Sequence, residues 1–351
     1  MRDQVTKPLI SVLMPVFNGE EFLAPSIESI LRQTYENFEF IIFDDGSTDN
    51  TAKIVRKYQK IDRRIIFISR ENKGISKSLN EGIDLSSGDW IARMDSDDIS
   101  LPDRFERQLN KLNITGADIC GSWVECFGGS TRALRTYPED DSAIKTGLLF
   151  GCMFAHHTVM ARASLMKQFK YDSSWDKSED YELWTRMALS DAKMTNISAV
   201  LLKYRVHVQQ ISKASSDRQR LLTQNIRRKY WKSSSIVRSI DSELADAFLN
   251  LTDASISELN MDRVDGCMSQ LIKNSSGESR DIIFKFGEIA YLKGCQRDRL
   301  ALSRWKSICE KNGHRIKFFT LIMMMAATKF RINAKSKIYS FGKNLYLRLK
   351  K

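Results

Sequence analysis

The stretch Trp90-Ile91-Ala92-Arg93-Met94-Asp95-Ser96-Asp97-Asp98 decides the fold. A short apolar run, Trp90–Met94, ends abruptly in a cluster of aspartates. Such a run reads as a buried strand. In open α/β sheets, ligands bind beyond the carboxyl ends of the strands. Residues i and i+2 of an extended segment point the same way, so Asp95 and Asp97 are expected to converge on one ligand. Hard carboxylate oxygens suit Mn²⁺ or Mg²⁺, commonly held by one or two carboxylates together with substrate phosphates. Such a cation would stabilise charge developing on a departing diphosphate. The competing reading makes Asp98-Ile99-Ser100-Leu101-Pro102 a plain helix entry, with proline in the first turn.

Upstream, strand-like and helix-like segments alternate. Leu9–Pro15, Phe38–Phe43 and Ile65–Ser69 read as strands, and Glu21–Thr34, Thr51–Gln59 and Ser76–Leu85 as helices. This order predicts an α/β fold with a mainly parallel sheet covered on both faces. The second strand also ends in acids, Asp44-Asp45-Gly46-Ser47-Thr48-Asp49. A turn with a helix cap accounts for Gly46 through Asp49. Two adjacent carboxylates repel each other, and one of them could accept the N3–H of uracil or bind ribose hydroxyls.

Downstream, Ser178-Glu179-Asp180-Tyr181 precedes the helical stripe Leu183, Trp184, Met187 and Ala188. Acids in a first helical turn are favoured by the macrodipole and need no function. The alternative is a general base that takes a proton from an attacking hydroxyl. His207, the pair His156-His157 and Arg93 each read as structural as readily as functional.

Hydrophobic residues make up 42% of the 351, ordinary for a globular chain with a sizeable core. No signal peptide is visible before the first strand, and six scattered cysteines without a C-x-x-C pair predict free cytosolic thiols. Beyond Ser212 the texture turns helical after the linker-like Ser212–Asp217. The predicted organisation is a catalytic domain over 1–212, a helical region over 213–314 and a basic tail over 315–351. Of the net charge of +12, ten positive charges fall from Arg315 onward, where there is no Asp or Glu. That tail predicts an anionic partner. Its apolar run Phe318–Thr328 is about half the ~20 residues a spanning helix needs, which predicts an interfacial segment.

Seven ordered motifs resemble the family 2 glycosyltransferases of the GT-A fold. They are M-P-V-F-N (14–18), D-D-G-S-T-D (44–49), N-K-G-I-S (72–76), I-A-R-M-D-S-D-D (91–98), P-D-R-F (102–105), S-E-D-Y-E-L-W (178–184) and Y-R-V-H (204–207). The resemblance implies an inverting, metal-assisted transfer from a UDP-sugar. It implies that Pro15, Val16, Asn18 and Glu20 border the nucleotide with Asp44 and Asp45, the latter on uracil. Asp95 would lie by the ribose or donor sugar, Asp97 would hold Mn²⁺ or Mg²⁺, His207 would reach that metal or the diphosphate, and Asp180 would be the base, with Glu179 as its substitute. The basic residue often found before the asparagine of the third motif is Leu79 here, preceding Asn80, so Arg93 or Lys77 is left to meet the diphosphate. The Q-x-x-R-W signature of processive members is absent, since Ala301 precedes Arg304-Trp305 where glutamine is needed.

Single-sugar addition follows from the resemblance. Its nearest likeness is to enzymes of bacterial O-antigen, capsule or lipooligosaccharide assembly, with a polyprenyl-diphosphate-linked acceptor. The tail would then hold the enzyme peripherally on the cytoplasmic face of the inner membrane. A nucleotidyltransferase would need a Gly-rich basic loop after the first strand, and Met14–Glu20 offers one glycine and no Lys or Arg. A nucleic-acid binder would leave the acidic clusters without a role, and no nucleic-acid motif is present.

Overall fold

The computed structural model describes residues 7–129, 132–207, 217–251, 260–295 and 298–330. The chain divides into two compact units, Met1–Tyr230 and Trp231–Lys351.

The first unit is α/β. Strands β1 (Ile10–Val16), β2 (Phe38–Asp44), β3 (Ile65–Ser69) and β4 (Trp90–Arg93) alternate with helices α1 (Leu23–Leu31), α2 (Thr51–Gln59) and α3 (Ile75–Leu85). These strands lie parallel in the order β3-β2-β1-β4. Both faces of β1 are covered. Ile10, Val12 and Met14 pack with Leu23, Ile27 and Ile30 of α1, while Leu13 meets α3 where Gly82 leaves no room: a Cβ there would come within 3.2 Å of Leu13. That double burial explains why the strands read as continuous apolar runs.

The rest of the sheet was not legible as strands. β5 (Ile99–Ser100) and α4 (Arg104–Thr115) are followed by β6 (Ile119–Phe127), β7 (Ala133–Arg135), α5 (Asp141–Leu148), β8 (Met160–Arg162), α6 (Ala163–Phe169), α7 (Glu179–Leu189) and β9 (Met194–Arg205). The order continues β4-β8-β6-β9-β5, with β7 beside β6. β6 and β9 pair in parallel over their length, whereas β8, β5 and β7 add short antiparallel pairings, so the sheet stays mainly parallel. The competing reading of Asp98–Pro102 as a plain helix entry meets β5 within it, Ile99–Ser100 paired with β9, and α4 starts after Asp103. Helix α8 (Asp217–Ser233) comes next, its residues through Tyr230 belonging to this unit.

The second unit is helical among the described residues: α9 (Ser242–Leu251), α10 (Met261–Lys273), α11 (Gly277–Gly294), α12 (Ala301–Lys311) and α13 (Phe318–Phe330). Its core centres on Trp305, stacked on Tyr291 with centroids 4.8 Å apart. Helix α13 buries Met324 and Ala327 in the unit while Phe318, Ile322 and Met325 stay exposed. The basic stretch expected to be a tail from Arg315 therefore begins with a packed helix. Residues 331–351, the linker at 212–216 and the N-terminal 1–6 lie outside the described residues. All six cysteines are free thiols. No helix among the described residues is long and apolar enough to cross a membrane.

Candidate active site

The carboxyl ends of β1 and β2 are tied by their loops. Pro15 and Val16 end β1 opposite Phe43 and Asp44, and the Val16 carbonyl accepts from Asp45 N–H at 2.9 Å. Asn18 takes a left-handed backbone, φ 49°, which asparagine tolerates. Its N–H donates to Ser47 Oγ (2.8 Å) and its Oδ1 accepts from Thr48 N–H (2.9 Å). Glu20 accepts from both the backbone N–H and Nδ2 of Asn50 at 2.8 Å. Glu20 thus holds the loop edge.

The adjacent acids Asp44 and Asp45 have separate duties. Asp44 is buried, and its oxygens accept from Ser47 N–H (2.9 Å) and Ser69 Oγ (3.0 Å), which assigns it to the turn. Asp45 accepts from the N–H groups of Lys73 and Gly74, each at 2.9 Å, and pairs with Arg70. Burial works to raise its pKa, but these hydrogen bonds and the Arg70 charge bring it below the ordinary aspartate value. The two carboxylates coexist because one is bound by hydroxyl and amide donors and the other by a guanidinium.

Strand β4 stops at Arg93, and Ser96–Asp97 form a turn. The alternation argument for Asp95 and Asp97 therefore does not apply: the backbone is not extended there, and the two side chains find different partners. Asp95 pairs with Arg93 (2.5 Å) and with His157 Nδ1 (3.3 Å). Against the effect of burial, the charges of Arg93 and His157 hold its pKa well below the usual carboxylate range. Asp97 Oδ2 meets His207 Nε2 at 2.9 Å, and both side chains are partly exposed. Asp98 is fully buried; Oδ1 accepts from Arg205 N–H (2.8 Å), and Oδ2 lies 3.5 Å from His157. Burial pushes Asp98 up to about 8, opposed by His157 and reinforced by Asp95 and Asp97.

This donor set fits a divalent cation. Asp97 and His207 present a carboxylate oxygen and an imidazole nitrogen side by side, and the ligating atoms of Asp95, Asp98 and His157 lie within 4.8 Å of one another. Carboxylate with imidazole suits Mn²⁺, and carboxylates alone suit Mg²⁺.

On the other side, α7 begins at Glu179. Asp180 Oδ1 accepts from Tyr181 N–H (2.7 Å), and the Cys152 thiol donates to Oδ2 at 3.8 Å. Burial raises the pKa of Asp180, with those donors opposing. Glu179 is buried, its Oε2 without a hydrogen-bond partner among the described residues, and burial plus the Asp180 charge push it up to about 7. Helix α8 braces the preceding turn: Gln219 donates to the Lys177 carbonyl at 2.6 Å.

The two acidic groups are linked through the segment His156–His157: His157 meets Asp95 at 3.3 Å, and His156 packs edge-on to Trp184 of α7. The buried Tyr171 feels the charges of Arg93, Glu179, Asp180 and Asp95, and Asp180 feels that of His157. Of the expected cations, Arg93 is buried against Asp95 and the Met94 carbonyl, whereas Lys77 stands exposed on α3. Asn80 grips the backbone of Tyr171, donating to its carbonyl and accepting from its N–H at 2.8 Å each.

Two residues gained roles that the sequence did not assign. His157 stacks on Tyr204 (5.0 Å, 13°) and bridges Asp95 and Asp98. Arg104, fully buried, donates to the Arg93 carbonyl at 2.6 Å beneath the strand end. Burial, with Arg93 nearby, lowers its pKa to about 9. Arg104 lies in the P-D-R-F motif, but the contact it makes with the strand end is not visible in that motif.

Comparison with known proteins bears on the family and the fold. Residues 11–175 match the family model "Glycosyl transferase family 2". An uncharacterized glycosyltransferase of Methanocaldococcus jannaschii is 33% identical over 240 residues, covering 66% of this chain and 83% of that protein. The O-antigen biosynthesis glycosyltransferase WbnJ of Escherichia coli is 33% identical over 213 residues, 59% of this chain and 83% of WbnJ. In fold, the chain is similar to S. aureus TarS 1–349 in complex with UDP-GlcNAc, with TM-score 0.56 and 14% identity over 88% of this chain and 93% of that one. It is also similar to the mannosyltransferase PcManGT of Pyrobaculum calidifontis in complex with GDP-Man and Mn²⁺, with TM-score 0.51 and 12% identity over 96% and 83% of the two chains. With its strand-end acids, its α/β sheet and these relatives, the chain belongs to glycosyl transferase family 2 and is a sugar-transferring enzyme.

Proposed function

We propose that this enzyme transfers one hexose or N-acetylhexosamine from a UDP-sugar to a hydroxyl of a lipid-linked saccharide, with inversion at the anomeric carbon. The observation that carries this reading is that one segment links the two acidic groups: His157 meets Asp95 of the strand end at 3.3 Å, and His156 packs edge-on to Trp184 of α7, the helix that opens with the buried Glu179 and the half-buried Asp180. A buried carboxylate with a raised pKa is suited to general-base work. Asp180 takes the proton of the acceptor hydroxyl as that oxygen bonds to the anomeric carbon, and the bond from that carbon to the diphosphate oxygen breaks on the opposite face. UDP leaves with the electron pair.

Asp97 and His207 would hold Mn²⁺ or Mg²⁺, which when bound supplies positive charge toward a departing diphosphate. Pro15, Val16, Asn18 and the Asp45-held loop border the nucleotide, with Lys77 placed to meet phosphate. Asn80 acts through Tyr171, and Arg93 through Asp95.

The UDP-GlcNAc bound in TarS and the O-antigen role of WbnJ support the donor and acceptor classes. The acceptor is a saccharide on polyprenyl diphosphate, and the chain works as a peripheral enzyme at the cytoplasmic face of the inner membrane. The basic stretch from Arg315, with Phe318, Ile322 and Met325 exposed on α13, supports the membrane contact.

The test is UDP release from UDP-Glc, UDP-Gal, UDP-GlcNAc and UDP-GalNAc, with Mn²⁺ and a synthetic lipid-diphosphate sugar. One donor should give acceptor-dependent release. No release from any of the four, or release indifferent to acceptor, rejects the reading.

A further inference from the structure

The segment between α6 and the turn before α7 is built with unusual effort. Helix α6 ends at Phe169, and Lys170 then takes φ 45°, a backbone region that side chains other than glycine rarely adopt. Four hydrogen bonds hold it there. Arg186 donates to the carbonyls of Phe169 and Lys170 at 2.7 Å each, and Asn80 clasps the N–H and carbonyl of Tyr171 at 2.8 Å each. Arg186 is itself fixed by the buried Glu182, at 2.8 and 2.9 Å. Strained backbone persists where its surroundings over-determine it, and such places cluster at ligand sites.

All this places one hydroxyl. Tyr171 Oη lies 2.8 Å from His156 Nε2, and the His156 ring is held edge-on by Trp184, centroids 6.2 Å apart. Tyr171 is buried and His156 half-buried. With Nε2 engaged by Tyr171, Nδ1 is the remaining polar atom of the ring. The motif residues Asn80, Glu182 and Trp184, otherwise without a chemical task, all serve this pair.

Its position decides what it touches. The strand-end acids with Arg93 mark the diphosphate side of the reaction, and Asp180 marks the attacking hydroxyl. The sugar being transferred must span the distance between them; His156 adjoins His157, which meets Asp95 at 3.3 Å, and packs edge-on to Trp184 on the helix that opens with Glu179 and Asp180. We propose that His156 and Tyr171 form the specificity-determining floor of the subsite for the transferred sugar, reading a hydroxyl of the hexosyl ring. This rests on the proposed use of a nucleotide-sugar donor. A site built to hydrogen-bond a substrate hydroxyl discriminates strongly against the analogue that misplaces it, because its own polar groups are then left unpaired.

The test compares calorimetric Kd values of the full chain, with Mn²⁺ present, for UDP and for the four UDP-hexoses. The wild type should bind one UDP-hexose more tightly than its epimer. Tyr171→Phe and His156→Asn should leave the UDP Kd within about twofold, while the discrimination between epimers falls about tenfold or more. If His156→Asn does not fold, Tyr171→Phe, which removes one oxygen and keeps the ring, carries the same comparison. A parallel loss for UDP and every UDP-hexose would mean a merely structural pair and overturn the inference. So would unchanged discrimination in the variants, or a wild type that binds all four sugars equally. Failure of the wild type to bind UDP or any UDP-hexose rejects the nucleotide-sugar reading itself, and this inference with it.

Discussion

At the scale of single residues, burial sets the chemistry. Asp180 and Glu179 sit together at the start of α7, and both are raised above their ordinary pKa by loss of solvent. Asp180→Asn preserves size and helix start but cannot accept a proton, so kcat should fall by about 10²–10⁴ while the UDP-sugar Kd holds. A variant keeping more than about a tenth of wild-type kcat would transfer the base role to Glu179. A base with a raised pKa works when ionised, so activity should be present at high pH and fall as pH drops through that raised value. Removing the neighbouring charge with Glu179→Gln favours the ionised Asp180, and the acid limb of kcat should move to lower pH. An unmoved limb would mean that the two acids are not coupled. For the cation, chelation should abolish turnover and Mn²⁺ restore it, whereas Asp97→Asn should stay nearly inactive with Mn²⁺ added and bind it more weakly by electron paramagnetic resonance. Full activity after exhaustive chelation would remove Asp97 and His207 from that role.

At the scale of elements, buried ionic clamps position the loops that carry these residues. Asp45 joins the β2–α2 loop to the β3–α3 loop through Lys73, Gly74 and Arg70. Its folded pKa lies below its unfolded value, so its stabilising contribution is fully present above the unfolded pKa and is lost as pH falls toward the folded one. Asp45→Asn should therefore cost about 1–3 kcal/mol near neutrality, and the gap to wild type should narrow below about pH 4. Urea melts at several pH values check this; a gap that stays constant in acid would show that charge is not the cause. Arg104 does similar work at the foot of α4. Arg104→Met leaves the Arg93 carbonyl and Gln108 without its donors, at about 1–3 kcal/mol. It should also weaken Mn²⁺ binding, because β4 carries the aspartate turn.

At the scale of the whole molecule, the two units divide the labour differently from the sequence's three segments. Helix α13 sends Met324 and Ala327 into the helical unit, so removing everything from Arg315 would open a core. Removing 331–351, which carries seven Lys or Arg residues and no acid, leaves Met324 and Ala327 in the chain. That truncation should lose sedimentation with anionic liposomes at low salt, since each basic residue near such a surface contributes about 1 kcal/mol. Turnover of a soluble acceptor should be largely kept. Undiminished liposome binding would place the contact on α13 instead, where Ile322→Asp would then remove it.

What the sequence determined on its own is the first half of the sheet and which acids stand at its strand ends. Apolar runs and helical stripes are local patterns, and β2, α2 and β3 fall within a residue of their expected bounds. Strand-end acids are local too. The partners of those acids are not. Asp97 meets His207 across 110 residues, Asp98 meets Arg205 across 107, and the division of Asp95 from Asp97 follows from a turn that ends β4 early. Short antiparallel strands such as β5 and β8 carry too few residues to show a period, so pairing with β9 and β6 makes them strands. Which carboxylate is spent on a turn, which is neutralised by a buried guanidinium and which is left to act depends on what the fold brings against each. Only tertiary structure decides that, because desolvation and charge pairing act through space and not along the chain.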